Sequence, residues 1–129
     1  MNGKLLLDTN VIIALFAKDP QIHNRIFNAE ELFVPCIAIG ELYFGAYKSL
    51  KVQENINRID NFALNNTVLV CDTDTARRYG NIKNRLKEKG QPIPENDIWT
   101  AAIAQQHALT LVTRDTHFEV VENLKIEVW

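Results

Sequence analysis

Short runs that are apolar at almost every position alternate along this chain with longer stretches of helical periodicity. A strand that is covered on both faces shows such runs, because it needs apolar side chains above and below the sheet. When strands of this kind alternate with helices, they are usually parallel and joined by helical crossovers. We therefore predict an α/β fold, a three-layer α/β/α sandwich with a central parallel sheet. Ligands of such folds bind at the carboxyl ends of the strands.

Apolar runs and capping residues place the boundaries of these elements. We expect strands at 4–7, 32–34, 67–70, 110–113 and 125–128. We expect helices at 10–16, 20–29, 36–48, 52–64 and 95–108, and one that Asp72 caps and that ends at Gly90. Asp is a favoured N-cap, and Gly favours the left-handed conformation that ends a helix. Because the 129 residues contain no repeat or linker, we expect a single domain spanning 1–129.

Composition excludes some classes of protein. Hydrophobic residues make up 47% of the chain, which is too many for a disordered protein. The net charge of -2 argues against a polybasic nucleic-acid binder, although metal ions can supply positive charge where a phosphate binds. Cys36 and Cys71 lack the spacing of metal ligands, and we expect both to be buried thiols in a reducing cytosol. No apolar run has membrane-spanning length, so a cytoplasmic protein is expected.

Four carboxylates stand near the predicted strand ends: Asp8, Glu41, Asp97 and Asp115. Asp8 directly follows the first strand and Asp115 lies just beyond the fourth. Taken alone, Asp8 is explained as a helix N-cap and Asp115 as a turn residue. Asp97 lies in a first helical turn, where acidic residues are common. Glu41 lies in mid-helix without a basic neighbour on its own face. A carboxylate there needs a metal ion or a distant basic partner, and either explains Glu41 equally well.

Taken together, the four carboxylates predict a metal site. Two come from strand ends and two from adjoining helices, so all four can meet at one edge of the sheet. Two carboxylates about 4 Å apart repel by about 4 kcal/mol at an effective dielectric constant of about 20. That is a large part of the roughly 5–15 kcal/mol by which a domain is stable. A divalent cation such as Mg²⁺ or Mn²⁺ offsets such repulsion and prefers oxygen ligands.

The same residues resemble those of the PIN-domain nucleases, particularly the VapC-like toxins. The matching stretches are Leu6-Leu7-Asp8-Thr9-Asn10, Gly40-Glu41-Leu42 with Gly45, Asn96-Asp97-Ile98 with Ala101-Ala102, and Thr113-Arg114-Asp115 with Phe118. The resemblance implies a PIN-like sandwich, Mg²⁺-dependent RNA cleavage with Mn²⁺ as a possible substitute, a homodimer and an antitoxin protein as partner.

Carried onto this chain, the resemblance makes Asp8, Glu41, Asp97 and Asp115 the metal ligands and the catalytic groups. It also suggests that Asn10 and Thr113 hold waters or orient the carboxylates. This chain departs from the pattern at His117, where many relatives carry a further acidic residue.

Two other functions also fit parts of the sequence. Cys71-Asp72-Thr73-Asp74-Thr75 resembles the signature of aspartate-nucleophile phosphatases, but the usual glycine is absent, and helix capping by Asp72 explains the pattern. A non-enzymatic module that binds a cation or a basic peptide is the second alternative. Arg114 and the basic residues of the helix that Asp72 caps suggest either an RNA contact or an ordinary solvated surface. The basic residues of that helix are Arg77, Arg78, Lys83, Arg85, Lys87 and Lys89.

Overall fold

A computed structural model describes residues 4–129 and shows a parallel sheet flanked by helices on both faces. Within these residues the sheet has five strands in the order β3-β2-β1-β4-β5, and each neighbouring pair is parallel. The strands are β1 (Lys4–Leu7), β2 (Glu31–Pro35), β3 (Thr67–Leu69), β4 (Thr110–Thr113) and β5 (Ile126–Val128). The predicted α/β class and parallel sheet are therefore confirmed.

The helices agree closely with those expected from the apolar periodicity. They are α1 (Thr9–Phe16), α2 (Pro20–Phe27), α3 (Cys36–Tyr47), α4 (Val52–Leu64), α5 (Thr73–Lys89) and α6 (Glu95–Gln106). A short 3₁₀ helix at Thr116–Val120 was not predicted. Helix α6 ends earlier than expected because Ala108 has a φ of 55°, a left-handed conformation that cannot continue an α-helix. No helix between residues 4 and 129 is long and apolar enough to cross a membrane.

Side chains of the central strand alternate between the two faces of the sheet and contribute to two separate cores. Leu5 and Leu7 pack with α1, α2, α3 and α4 on one face, whereas Leu6 packs with α5 and α6 on the other. On that second face Ala101 and Ala104 are fully buried. Their small side chains let α6 lie close to the sheet, which brings the first turn of α6 near the strand ends.

The strand order reverses direction beside β1. The chain passes from β1 to β2 and β3 on one side, then crosses to β4 and β5 on the other. The crevice outside the carboxyl ends of β1 and β4 is therefore a topological switch point, where open α/β sheets bind ligands. Asp8 follows β1 and Arg114 follows β4, so the chain places polar residues at this crevice.

The prediction that both cysteines are buried was wrong. Cys36 is half-buried and Cys71 is exposed. Cys36 opens α3 directly after β2, and Cys71 follows β3, which is the edge strand, so neither residue lies within the core. Partial burial and the adjacent Cys36 thiol raise the pKa of Cys71 to about 11. The Cys71 thiol is therefore protonated at neutral pH.

Helix α5 begins and ends where the capping residues indicated. Asp72 accepts a hydrogen bond from the backbone N–H of Thr75, and the Thr75 hydroxyl accepts one from the backbone N–H of Asp72, at 3.0 Å each. Gln106 of α6 donates a further bond to the Asp72 carboxylate at 2.9 Å. Gly90 ends the helix with a φ of 67°. Asp72 therefore acts as a capping residue that also ties α5 to α6.

We expect Asp72→Ala to lower the free energy of unfolding by about 1 kcal/mol, because it removes a capping side chain from the longest helix. Urea denaturation followed by circular dichroism measures this change. The matched control is Asp74→Ala, which removes an exposed side chain paired with Arg78 at 3.3 Å. That control should cost no more than about 0.5 kcal/mol. Equal losses in the two variants would contradict the capping role.

Candidate active site

Asp8 is held at the end of the central strand by contacts to both β4 and α1. Its backbone N–H donates to Val112 at 2.9 Å, and its carboxylate accepts from the Thr113 hydroxyl at 2.8 Å and from the backbone N–H of Thr9 at 2.9 Å. The side chain is buried, with 6% of the residue exposed. Burial raises the pKa of Asp8, its hydrogen bonds oppose that rise, and the negative charges of Glu41 and Asp115 add to it.

Glu41 projects from α3 and is held by two polar side chains. The Thr9 hydroxyl donates to one carboxylate oxygen of Glu41, and the Asn96 amide donates to the other at 3.3 Å. None of the ion pairs found in residues 4–129 involves Glu41. The distant basic partner that was the alternative explanation for Glu41 is therefore absent from the described part of the chain.

His117 lies between the other two carboxylates. Its Nε2 is 2.7 Å from Asp97 Oδ2, and its Nδ1 is 2.8 Å from Asp115 Oδ1. Asp97 is half-buried in the first turn of α6, and His117 belongs to the 3₁₀ helix after β4. Burial raises the pKa of Asp97, as do the charges of Asp8 and Glu41, while His117 lowers it.

The four carboxylates thus share one electrostatic neighbourhood at the switch point. The negative charges of Glu41 and Asp115 raise the pKa of Asp8. Those of Asp8 and Glu41 raise the pKa of Asp97. Oxygen donors that carry excess negative charge suit a hard divalent cation. Within residues 4–129, no three acidic, histidine or cysteine side chains already surround a single point. Hydrogen bonds to Thr9, Asn96, Thr113 and His117 hold the individual carboxylates instead.

Asn10 and Thr113 have different contacts around this cluster. The Thr113 hydroxyl donates to Asp8 and accepts from the backbone N–H of Asp115 at 3.0 Å, so it connects two of the carboxylate-bearing segments. Asn10 accepts a hydrogen bond from the backbone N–H of Arg114 at 3.2 Å. Asn10 therefore contacts the backbone after β4, and its effect on the carboxylates runs through the position of that loop.

Three further residues of the site were missed in the sequence. Thr9 and Asn96 adjoin Asp8 and Asp97 in the chain, yet both contact Glu41, which only the folded structure brings near them. His117 had one signal, because it occupies the position where the resemblance suggests an acidic residue. Its contacts with two carboxylates depend on the 3₁₀ turn, which leaves no apolar periodicity in the sequence.

Most of the basic residues named above have acidic partners. In helix α5, Arg78 pairs with Asp74, Lys83 with Glu95, and both Arg85 and Lys89 with Glu122. Arg114 pairs with Asp19 at 2.8 Å. These exposed pairs favour a solvated surface over a dedicated RNA-binding face.

The comparisons with known proteins agree with this architecture. The PIN domain family model matches residues 5–124. Ribonuclease VapC2 of Haemophilus influenzae is 39% identical, and a tRNA(fMet)-specific endonuclease VapC of Salmonella typhimurium is 33% identical, each over 98% of both chains. The DNA-bound VapBC structure from Salmonella typhimurium matches with a TM-score of 0.90 and 32% identity over 100% of this chain and 99% of that one. VapBC2 of Rickettsia felis, bound to a promoter DNA fragment, matches with a TM-score of 0.89 and 26% identity over 98% of both chains.

The fold and the site define a parallel α/β protein with a carboxylate cluster at its topological switch point. Together with the matches to known proteins, they show that the chain belongs to the PIN domain family, within the VapC ribonuclease toxins of toxin–antitoxin systems. The aspartate-nucleophile phosphatase is correspondingly disfavoured, since Asp72 caps α5 and its carboxylate is engaged by Thr75 and Gln106.

We expect Asp97→Asn to stabilise the metal-free protein at pH 7. The folded-state pKa of Asp97 is raised, so its contribution to stability is present below the unfolded pKa of about 3.9 and is lost as the pH rises through the folded value. The neutral amide avoids this loss, and its advantage over the wild type should vanish below about pH 4. Urea unfolding in a chelating buffer at both pH values measures the difference.

Asp19→Asn is a control for which we expect the opposite change in the free energy of unfolding. A hydrogen bond from Arg114 lowers the pKa of Asp19, so its ionised form stabilises the fold at neutral pH. Asn keeps the capacity to cap α2, and this variant should be less stable than the wild type at pH 7. Destabilisation of Asp97→Asn at pH 7 would instead indicate that the Asp97 charge is needed for folding.

Proposed function

We propose that this VapC-type ribonuclease is a Mg²⁺-dependent endoribonuclease that hydrolyses RNA phosphodiester bonds in the cytoplasm. The observation that carries the proposal is the gathering of Asp8, Glu41, Asp97 and Asp115 at the switch point, where their charges repel. Relatives are named as ribonucleases, and one of them as a tRNA-specific endonuclease, which supports RNA as the substrate.

The four carboxylates are the residues that would hold Mg²⁺, or Mn²⁺ in its place. A bound divalent ion supplies a water of lowered pKa and neutralises charge on phosphate oxygens. Thr113 would hold the Asp8 carboxylate in place for the ion, and Thr9 and Asn96 would do the same for Glu41. These hydrogen bonds use neutral donors, so they orient the carboxylates without cancelling their charge.

We expect Asp97→Asn and Glu41→Gln each to reduce cleavage of RNA by more than the roughly 10- to 100-fold typical of residues that only surround a metal ligand. The wild-type protein should lose activity in a chelating buffer and regain it with Mg²⁺ or Mn²⁺. Its melting temperature should rise with millimolar Mg²⁺, and that rise should be smaller in Asp97→Asn, because binding to the native state is stabilising. Gel assays on total RNA and thermal melts measure these effects.

Two control variants distinguish the proposed ribonuclease site from the alternative functions. Asp74→Asn neutralises an exposed carboxylate of α5 and should retain full cleavage. Asp72→Asn should also retain RNA cleavage, whereas a phosphatase that used Asp72 as its nucleophile would lose its activity. Binding of metal without any cleavage of RNA by the wild type would favour the non-enzymatic cation-binding module.

We also propose that an antitoxin protein blocks this site from a groove beside Glu41. The groove has a volume of about 220 Å³ and is lined mainly by α1, α3 and α4, including Ile13, Phe16, Leu42 and Glu41. Ile13 is 55% exposed and lines the groove together with Phe16, so the groove offers apolar surface to a partner. Solved relatives are described as VapBC complexes, which supports a protein partner for this surface.

An arginine of that partner suits the acidic end of the groove. Its fixed charge and fork of donors pair with carboxylates and would compete with a metal ion for them. An apolar segment of the same partner would cover Ile13 and Phe16. The homodimer implied by the resemblance stays a prediction, for which the exposed Phe44 and Tyr47 of α3 offer a contact face.

We expect production of this chain alone to stop bacterial growth, and Glu41→Gln to relieve the arrest, because the site then lacks one carboxylate. Co-production of the cognate antitoxin should restore growth through a stable complex. Ile13→Asp should weaken that complex while retaining RNA cleavage, since it places a charge in the apolar part of the groove. Growth curves and co-purification measure these outcomes. Normal growth with abundant soluble and metal-binding wild-type protein would contradict the toxin role.

A further inference from the structure

His117 brings two imidazole nitrogens into a cluster whose other potential metal ligands are carboxylate oxygens. Each of its ring nitrogens lies at hydrogen-bond distance from a carboxylate of the cluster, 2.7 Å for Asp97 and 2.8 Å for Asp115. The ring also lies 4.7 Å from the ring of Phe118, which is fully buried in the core beneath it. The core therefore anchors the segment that presents the imidazole to the carboxylates.

The spacing of these groups suits coordination. Two neighbouring ligands of an octahedral ion, each about 2.1 Å from it, lie about 3 Å apart. Nε2 of His117 and Oδ2 of Asp97 are already separated by 2.7 Å, so a small rotation of the side chains would direct both toward a shared ion. The charges of Asp8 and Glu41 also act on Asp97, so His117 contacts a carboxylate that is electrostatically coupled to the others.

The other ring nitrogen already has the contact that a ligating histidine usually makes. Histidines bound to metal through one nitrogen commonly donate the N–H of the other to a carboxylate, which fixes the ring. Nδ1 of His117 lies 2.8 Å from Asp115 Oδ1 and is placed for such a bond. In this arrangement Asp115 orients the ring, and Asp8, Glu41 and Asp97 would supply the carboxylate ligands of the ion that Nε2 faces.

We propose that His117 is a ligand of the divalent ion through Nε2, with Asp115 orienting its ring. The inference rests on the metal dependence proposed above and adds a nitrogen to a ligand set otherwise made of oxygens. Imidazole favours transition metals, whereas Mg²⁺ favours carboxylate, carbonyl and water. The site should therefore prefer Mn²⁺ to Mg²⁺ more strongly than an all-carboxylate site would.

Pulsed electron paramagnetic resonance of the Mn²⁺-loaded protein tests this directly, because electron spin-echo modulation reports nitrogen bonded to the ion. Wild-type protein should show this coupling, and labelling with ¹⁵N-histidine should change its frequencies. His117→Gln should lose it. The matched control His107→Gln should retain it, because His107 is exposed and follows the other end of α6 from Asp97.

Ion preference provides a second readout, by calorimetric titration with Mn²⁺ and with Mg²⁺. His117→Glu gives an all-oxygen ligand set, and the ratio of Mn²⁺ to Mg²⁺ affinity should fall. The labelling experiment uses the wild-type chain, so it remains decisive if a His117 variant fails to fold.

The outcomes separate this inference from the proposed function. Bound Mn²⁺ without histidine nitrogen coupling in the wild type would overturn ligation by His117 and leave the metal-dependent ribonuclease intact. Coupling that persists in His117→Gln would also overturn it. If the wild-type chain binds neither ion, the metal dependence itself is wrong, and the inference fails with it.

Discussion

The hydrogen bond from the Thr113 hydroxyl to Asp8 connects the two strands between which the order of the sheet reverses. Strand β1 pairs with β4 through Leu7 and Val112, and the backbone N–H of Asp8 extends that ladder by bonding to Val112. A buried carboxylate at the end of a central strand is costly unless donors surround it. Thr113 of β4 and the backbone N–H of Thr9 in α1 supply those donors, and the rest of the site is built around the fixed position of Asp8.

The donors around the cluster orient it more than they neutralise it. Thr9 and Asn96 donate neutral hydrogen bonds to Glu41, and Thr113 donates one to Asp8, whose pKa stays raised despite it. The pKa of Asp97 stays raised despite its contact with His117. The protein therefore retains an electrostatic cost at its switch point that packing does not remove. A cation that binds there is stabilised by the same charges that destabilise the metal-free fold, which couples metal affinity to folding stability.

Much of the fold could be predicted because its signals are local. Asp72 and Gly90 mark the ends of α5 through their own conformational preferences, and the apolar runs mark the strands. The end of α6 could not be predicted correctly, because Ala108 adopts a left-handed φ for which alanine has no preference. The four carboxylates were identified from their places beside strands and helix starts. His117 was missed as a site residue because its contact with Asp97 joins residues 20 apart through an unpredicted 3₁₀ turn.

The same excess of negative charge accounts for both activity and control in the proposed toxin. If lysines of this chain neutralised the carboxylate cluster, the site would not need a metal ion. It would then attract neither a divalent cation nor an arginine from a partner. Here Glu41 lines a groove that is apolar along α1 and that Arg58 also lines. A partner with an apolar segment followed by an arginine matches both parts, so one continuous surface can inhibit the enzyme by taking the place of the metal. His117 contacts Asp97 and Asp115, whereas Thr9 and Asn96 hold Glu41, the carboxylate for which the metal ion and the partner would compete.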